Sequence, residues 1–226
     1  MEPIFVTGTD TGIGKTVVCG LLARFLREKG GNVVIQKWIE TGEGDSDIEQ
    51  HRILSGREHF QYIRHILPYK FKKAASPHLA SYLEKRKISK DKIKKSFLFL
   101  RAKFDLVIVE GIGGALVPFN RKELVIDIAK ELGLSSLIVA KNKLGAINHT
   151  LLTIEAINKR GIPILGLVFN QEDGEDGLVL EDNPKIIKRF SGLKVFGSLP
   201  YSKDKSILYE KFTPIGGKIW SLLRKT

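Results

Sequence analysis

Gly8-Thr9-Asp10-Thr11-Gly12-Ile13-Gly14-Lys15-Thr16 follows the apolar run Ile4-Phe5-Val6 and opens a helix-period stretch from about Lys15 to Glu28. Strand, glycine-rich turn and helix in that order are the setting of a phosphate-binding loop. Backbone N–H groups of such a loop and of the helix N-terminus wrap a polyphosphate. In this reading Lys15 reaches the β- and γ-phosphates, and the Thr16 hydroxyl meets Mg²⁺. The position five before Gly14 is Thr9 rather than the usual glycine, with Gly8 one residue earlier, while the Gly-Lys-Thr end is intact. A turn with an incidental lysine does not account for strand, loop, helix and Gly-Lys-Thr coinciding.

Outward from the loop, short apolar runs alternate with helix-period segments. The further runs are Val33–Ile35, Leu106–Val109, Ser135–Ala140, Ile164–Phe169 and Val195–Leu199. Helical patterns lie around 77–86, 90–103, 124–132, 146–160, 184–191 and 215–224. Continuous Val/Ile/Leu strands alternating with helices imply an α/β fold, with a mostly parallel central sheet covered by helices on both faces. A single P-loop domain over residues 1–226 is expected. Ligands then bind beyond the carboxyl ends of the strands. Those exits hold Lys37, Glu110-Gly111, Lys141-Asn142, Asn170-Gln171 and Pro200-Tyr201. The second strand is expected beside the first, so that Lys37 and the loop share one crevice.

Mg²⁺ takes oxygen ligands, usually one or two carboxylates plus phosphate and water. Glu110 ends a buried strand, and Gly111-Ile112-Gly113-Gly114 after it allows close backbone approach to phosphate. A second acid is open between Asp45 and Asp47, both after Gly42-Glu43-Gly44. Lys37, beside the phosphates, is a second cation for a transferring phosphoryl group.

The chain carries 37 basic and 25 acidic residues, a net charge of +12. Nine bases and one acid, Asp91, lie between Lys85 and Lys103, giving +8 of that excess. Ile93, Phe97, Leu100 and Phe104 recur there at helical spacing, so the lysines read as the solvated face of an amphipathic helix rather than a nucleic-acid stripe. One cysteine, Cys19, excludes an internal disulfide framework and a multi-thiolate zinc cluster; it reads as buried filler. With no membrane-length apolar stretch and no signal-peptide pattern at Met1-Glu2-Pro3-Ile4, a cytoplasmic soluble protein is expected, without membrane or nucleic-acid partners.

The motif series resembles dethiobiotin synthetase. Phe5–Thr11 with Gly14-Lys15-Thr16, Lys37 with Thr41-Gly42, Val109–Gly114, and Lys143-Leu144-Gly145-Ala146-Ile147-Asn148-His149 occur in the family's order and spacing. Matching blocks run from Phe5 to about Gln171, with a weaker one at Gly197–Tyr201. The resemblance implies a homodimer that uses 7,8-diaminononanoate, CO₂, ATP and Mg²⁺. It implies Thr16, Asp47 and Glu110 as Mg²⁺ ligands, with Asp47 chosen by the Ser46-Asp47 pairing. It implies Lys15 and Lys37 as catalytic cations, and Thr11 and Thr41 at the substrate. Leu144, Gly145 and Asn148 would bind the substrate carboxylate across the dimer. Gly12, Ile13, Gly14, Val17, Gly111, Ile112 and Gly113 would line the nucleotide site with the metal ligands. Asn170, with Gln171, Pro200, Tyr201 and Ser202, would hold the base.

Some positions depart from the family. Gly12 stands where the family's loop often has an acid, and Trp38 where proline commonly follows the lysine. The segment from Asn170 to Pro184 matches poorly; its six acids read as a solvated loop, and Gly174 at a ligand position breaks the calcium-loop pattern. A cobyrinate-type synthetase is a rival, but it requires a further domain with a Cys nucleophile. A DNA-associated partition-type ATPase is another; its branch carries a lysine where this chain has Asp10.

Overall fold

The computed structural model describes residues 1–44, 46–57 and 59–224. Asp45, one of the two acids weighed above, lies outside the described residues. In chain order the elements are β1 (Ile4–Gly8), α1 (Lys15–Glu28), β2 (Val33–Lys37), β3 (Ile39–Thr41), α2 (Asp47–Ser55), α3 (Ile63–Ile66), β4 (Tyr69–Phe71), α4 (Pro77–Leu83), α5 (Lys90–Arg101), β5 (Leu106–Glu110), α6 (Val125–Glu131), β6 (Ser135–Asn142), α7 (Ala146–Asn158), β7 (Ile164–Gln171), α8 (Gly177–Ser191), β8 (Val195–Leu199) and α9 (Lys205–Leu223). A 3₁₀ turn, Phe60–Tyr62, precedes α3.

Six strands form a parallel sheet in the order β2-β5-β1-β6-β7-β8. Both faces are covered, as the uninterrupted apolar runs require. Alternation shows in β1, where Phe5 joins one core and Ile4 and Val6 the other. The first core takes Phe97 and Leu100 from α5, Ile126 from α6, Ile157 from α7 and Ile187 from α8. The second takes Val18, Leu22 and Leu26 from α1 and Phe212 and Ile219 from α9.

The expected adjacency of the first two strands is wrong. β5 lies between them, paired with β1 at Val6↔Glu110 and with β2 at Lys37↔Glu110. Both hydrogen-bonding edges of the Leu106–Glu110 strand thus find a parallel partner, and Lys37 becomes the direct neighbour of Glu110 rather than of the loop strand.

Two helices begin earlier than their sequence patterns suggest. The acidic segment is not a loop throughout. α8 starts at Gly177 with Asp176 as its cap, Oδ1 accepting from Leu178 N at 2.7 Å. Pro184 lies inside that helix; the Leu180 carbonyl that its missing N–H would have met accepts from Asn142 Nδ2 at 2.8 Å instead. α9 likewise starts ten residues before the expected 215, capped by Asp204 and with Pro214 inside. Periodicity missed α2, the one-turn α3 and the small parallel sheet β3-β4, where Thr41 pairs with Phe71.

Candidate active site

α1 opens at Gly14, whose φ of +87° is left-handed; a Cβ there would stand 2.3 Å from Asn170 Nδ2. Asn170 itself, at the end of β7, donates to the Ile13 carbonyl at 2.6 Å. The loop's backbone is thus clamped from a neighbouring strand exit. Lys15 folds back along the loop, with Nζ donating to the Asp10 carbonyl at 2.8 Å.

The loop, β2, β3, α2 and β5 converge on a cleft of ≈ 300 Å³. Thr11, Gly12, Ile13, Gly14, Lys15, Thr16, Lys37, Thr41, Asp47, Glu110, Ile112 and Gly113 all line it. At its floor Thr16 Oγ1 lies 2.9 Å from Asp47 Oδ1 and 3.0 Å from Glu110 Oε1. One hydroxyl proton cannot serve both, so three oxygens crowd together carrying two negative charges. Lys37 Nζ answers that charge, 2.5 Å from Glu110 Oε1 and 2.8 Å from Asp47 Oδ2. It also donates to the Gly111 carbonyl at 3.1 Å. The donor set is all hard oxygen on separate elements, which fits a Mg²⁺ ion.

Burial sets the charge states. Burial alone would raise the Glu110 carboxyl, but Lys37 and then His51 outweigh it and hold it well below the carboxylate range. Burial would likewise depress Lys37, yet Glu110 and Asp47 keep it protonated above the ordinary lysine range. For Lys15 the balance goes the other way: burial, then the nearby Lys37 charge, outweighs the pull of Glu110 and Asp47 and lowers it to about 8.

Two further functional candidates, His51 and Glu40, carry no motif in the sequence. His51 on α2 is buried, with Nε2 2.5 Å from Glu110 Oε2; its only signal was spacing, one helical turn after Asp47. Glu40 on β3 also lines the cleft, buried, accepting from Ser46 Oγ and 2.8 Å from Lys70 Nζ. Cys19 is fully buried, as expected of filler, and its thiol, raised by burial, lies within 4.8 Å of ligand atoms of His51 and Glu110. Trp38 is also buried, stacked on Phe5 at 5.6 Å between centroids. Phe5 in turn abuts Gly111, where a Cβ would lie 3.0 Å from its ring, so the Trp38 departure supports the backbone after Glu110.

The remaining expected residues lie outside the cleft. Val17 follows Thr16 in α1 and packs on the core. Gln171 ends β7, and Pro200, Tyr201 and Ser202 follow β8, whose Leu199 pairs with Asn170. Leu144, Gly145 and Asn148 at the start of α7 are exposed. The Leu144 N–H donates to Glu175 Oε2 at 2.8 Å, so a carboxylate of the acidic segment already sits on this helix start.

Residues 2–206 match the family described as AAA domain. The chain is 40% identical over 203 residues to the ATP-dependent dethiobiotin synthetase BioD of Chlorobaculum tepidum, covering 88% of this chain and 85% of that one. It is 37% identical to the enzyme of the same name from Methanococcus vannielii, covering 89% and 94%. The chain belongs to the dethiobiotin synthetase family. Solved structures resemble it in fold alone. pNOB8 ParA bound to nonspecific DNA gives a TM-score of 0.63 at 13% identity over 99% of both chains. The cell division ATPase MinD of Pyrococcus furiosus gives 0.59 at 18%, over 100% of this chain and 99% of that one. The family relation therefore decides against the partition-type and cobyrinate-type rivals, and the parallel sheet and loop agree with the P-loop class.

Proposed function

We propose that this protein catalyses the ATP- and Mg²⁺-dependent carboxylation and ring closure of 7,8-diaminononanoate with CO₂, giving dethiobiotin in the cytoplasm. The observation that carries the reading is the cleft floor, where buried Lys37 meets two carboxylates beside the loop hydroxyl, with Lys15 lining the same cleft. One substrate amine adds to CO₂, forming a carbamate and releasing a proton. A carbamate oxygen attacks the γ-phosphorus of ATP; the bond to the β–γ bridging oxygen breaks and ADP leaves. The second amine attacks the carbonyl carbon of the resulting carbamic-phosphoric anhydride, loses a proton, and expels phosphate as the ureido ring closes.

Each step brings anions together, so fixed positive charge and positioning are what the protein must supply. Lys15 takes the β- and γ-phosphates. Thr16, Asp47 and Glu110 would hold Mg²⁺, which when bound offsets phosphate charge. Lys37, held at the cleft floor beside those carboxylates, is the second cation that would meet the carbamate and γ-phosphate. Thr11 and Thr41 line the wall where the diamine enters, and Asn170, Gln171 and Pro200–Ser202 form the base site beyond the loop.

In one chain the Leu144–Asn148 turn lies outside the cleft, which supports a homodimer whose partner copy brings those backbone N–H groups to the substrate carboxylate. An apolar groove of Ala115, Leu116, Val117, Leu152 and Ala156 fits such an interface. The test is turnover: ADP release should require the diamine and bicarbonate together. ADP release indifferent to the diamine would overturn the reading.

A further inference from the structure

His51 lies four residues after Asp47 on α2, so both side chains leave the same face of the helix. That face carries them to one target. Asp47 reaches Thr16 and Lys37, while His51 Nε2 stands 2.5 Å from Glu110 Oε2. The two oxygens of Glu110 consequently have separate partners: Thr16 and Lys37 on Oε1, and His51 on Oε2. An ionised carboxylate only accepts, so the imidazole donates from Nε2. Its Nδ1 is buried with no partner among the described residues. An apolar side chain would fill this 5%-exposed position without burying an unpartnered nitrogen, so packing alone does not account for a histidine.

We propose that His51 is a positioning residue for the metal site, an inference that rests on reading Glu110 as a Mg²⁺ ligand. By pinning Oε2, His51 fixes the plane of the carboxylate and leaves Oε1, 3.0 Å from the Thr16 hydroxyl, as the oxygen offered to the cation. Without that donor the carboxylate is free to turn about its last bond, and Oε1 and Oε2 become interchangeable partners for Lys37. Hydrogen-bonding partners behind metal ligands act in this way. Because His51 and Asp47 share one turn of α2, docking that helix sets both carboxylates at once.

Mn²⁺ is the probe, titrated by electron paramagnetic resonance against protein carrying a non-hydrolysable ATP analogue. Nucleotide affinity without divalent cation and thermal unfolding are measured on the same preparations. His51→Leu should lose about tenfold in Mn²⁺ affinity, at the low end of what removal of such outer partners causes. Its cation-free nucleotide affinity should be unchanged. His51→Gln, whose amide nitrogen reaches the place of Nε2, should stay near the parent, while His51→Asn, too short to reach it, should behave like Leu. In turnover, the Mg²⁺ concentration for half-activation should shift in the same order while kcat at saturating Mg²⁺ changes little. Parent-like Mn²⁺ affinity in His51→Leu overturns the proposal, as does equal weakening in Gln, Asn and Leu. If His51→Leu does not fold, the Gln–Asn difference decides in the same way. A parent protein that binds no Mn²⁺ with nucleotide would instead overturn the reading of Glu110 itself, and this inference with it.

Discussion

Lys15 is buried beside another cation, and its amine is lowered to about 8. A lysine that must be charged to meet phosphate therefore loses its proton in the free enzyme as pH rises past that value. The expected result is a kcat/KM for ATP that falls above about pH 8. Turnover at saturating ATP should persist to higher pH, because bound phosphate favours the charged amine. A kcat/KM profile flat to pH 10 would show that Lys15 is not titrating. Lys15→Ala should lose roughly 10²-fold or more in turnover, comparable to loss of one preorganised transition-state donor. Glu110→Gln keeps the shape but leaves Asp47 as the charged partner of Lys37, beside the Gly111 carbonyl. It should shift the Mg²⁺ titration of activity to higher concentration and cost roughly 1–3 kcal/mol in unfolding, as for a buried hydrogen-bonded group losing its charged partner. A superimposable Mg²⁺ titration would exclude Glu110 as a ligand. Lys37→Gln separates roles: kcat should fall sharply with cation-free ATP binding little changed, because the charge is needed where carbamate meets phosphate. Loss of ATP affinity with kcat intact would make Lys37 an ordinary phosphate clamp.

At the scale of elements, the contact between α1 and α2 sets the site. Gly20 of α1 lets α2 approach so closely that a Cβ there would stand 2.5 Å from Leu54 Cβ. Gly20→Ala should push α2 outward, costing about 1–3 kcal/mol as an overpacked core contact does. It should also weaken Mg²⁺ activation, since Asp47 and His51 ride on that helix. Chemical denaturation and the Mg²⁺ titration check both parts; a stable variant with unchanged Mg²⁺ response would show that α2 is not held by this contact. The sheet strands and most helices were legible because Leu106–Val109 or the Ile93–Phe97–Leu100 stripe carry their periods openly. α2 was not, since Asp47–Ser55 is a short helix whose buried residues are His51, Leu54 and Ser55, and two of those are polar. The starts of α8 and α9 lie upstream of the expected patterns, with Asp176 and Asp204 as caps and Pro184 and Pro214 inside the helices. Strand order is also invisible to periodicity, so Lys37 was expected beside the loop strand when its register partner is Glu110. The loop, Glu110 and Lys37 were recognisable from motif and strand exit; His51 and Glu40 were not, because only folding brings His51 to Glu110 and Glu40 to the cleft.

Across the whole molecule, the basic segment is a largely exposed face, as its helical spacing predicts, with part of its charge paired on the surface. Lys90 meets Glu123 and Glu131, Lys94 meets Glu131, and Lys92 donates to the Pro68 carbonyl. Gel-shift at physiological salt should accordingly show no retention of nonspecific duplex DNA; retention would revive the partition-type reading. Assembly has a sharper test. If each substrate site takes its Leu144–Asn148 turn from the partner, Lys37→Gln and Gly145→Val damage the same site from different protomers. Gly145 has φ +86°, which a β-branched residue does not tolerate without strain. Mixed after dissociation, the two inactive variants should regain about a quarter of parental activity through one intact site per mixed dimer. No recovery would place that turn with its own chain. The most direct measurement remains the reaction itself. Purified protein is given 7,8-diaminononanoate, labelled bicarbonate, ATP and Mg²⁺, and ADP and labelled product are counted together. The account predicts one dethiobiotin per ADP, with neither formed when the diamine is left out. ADP released without labelled ureido product would contradict it.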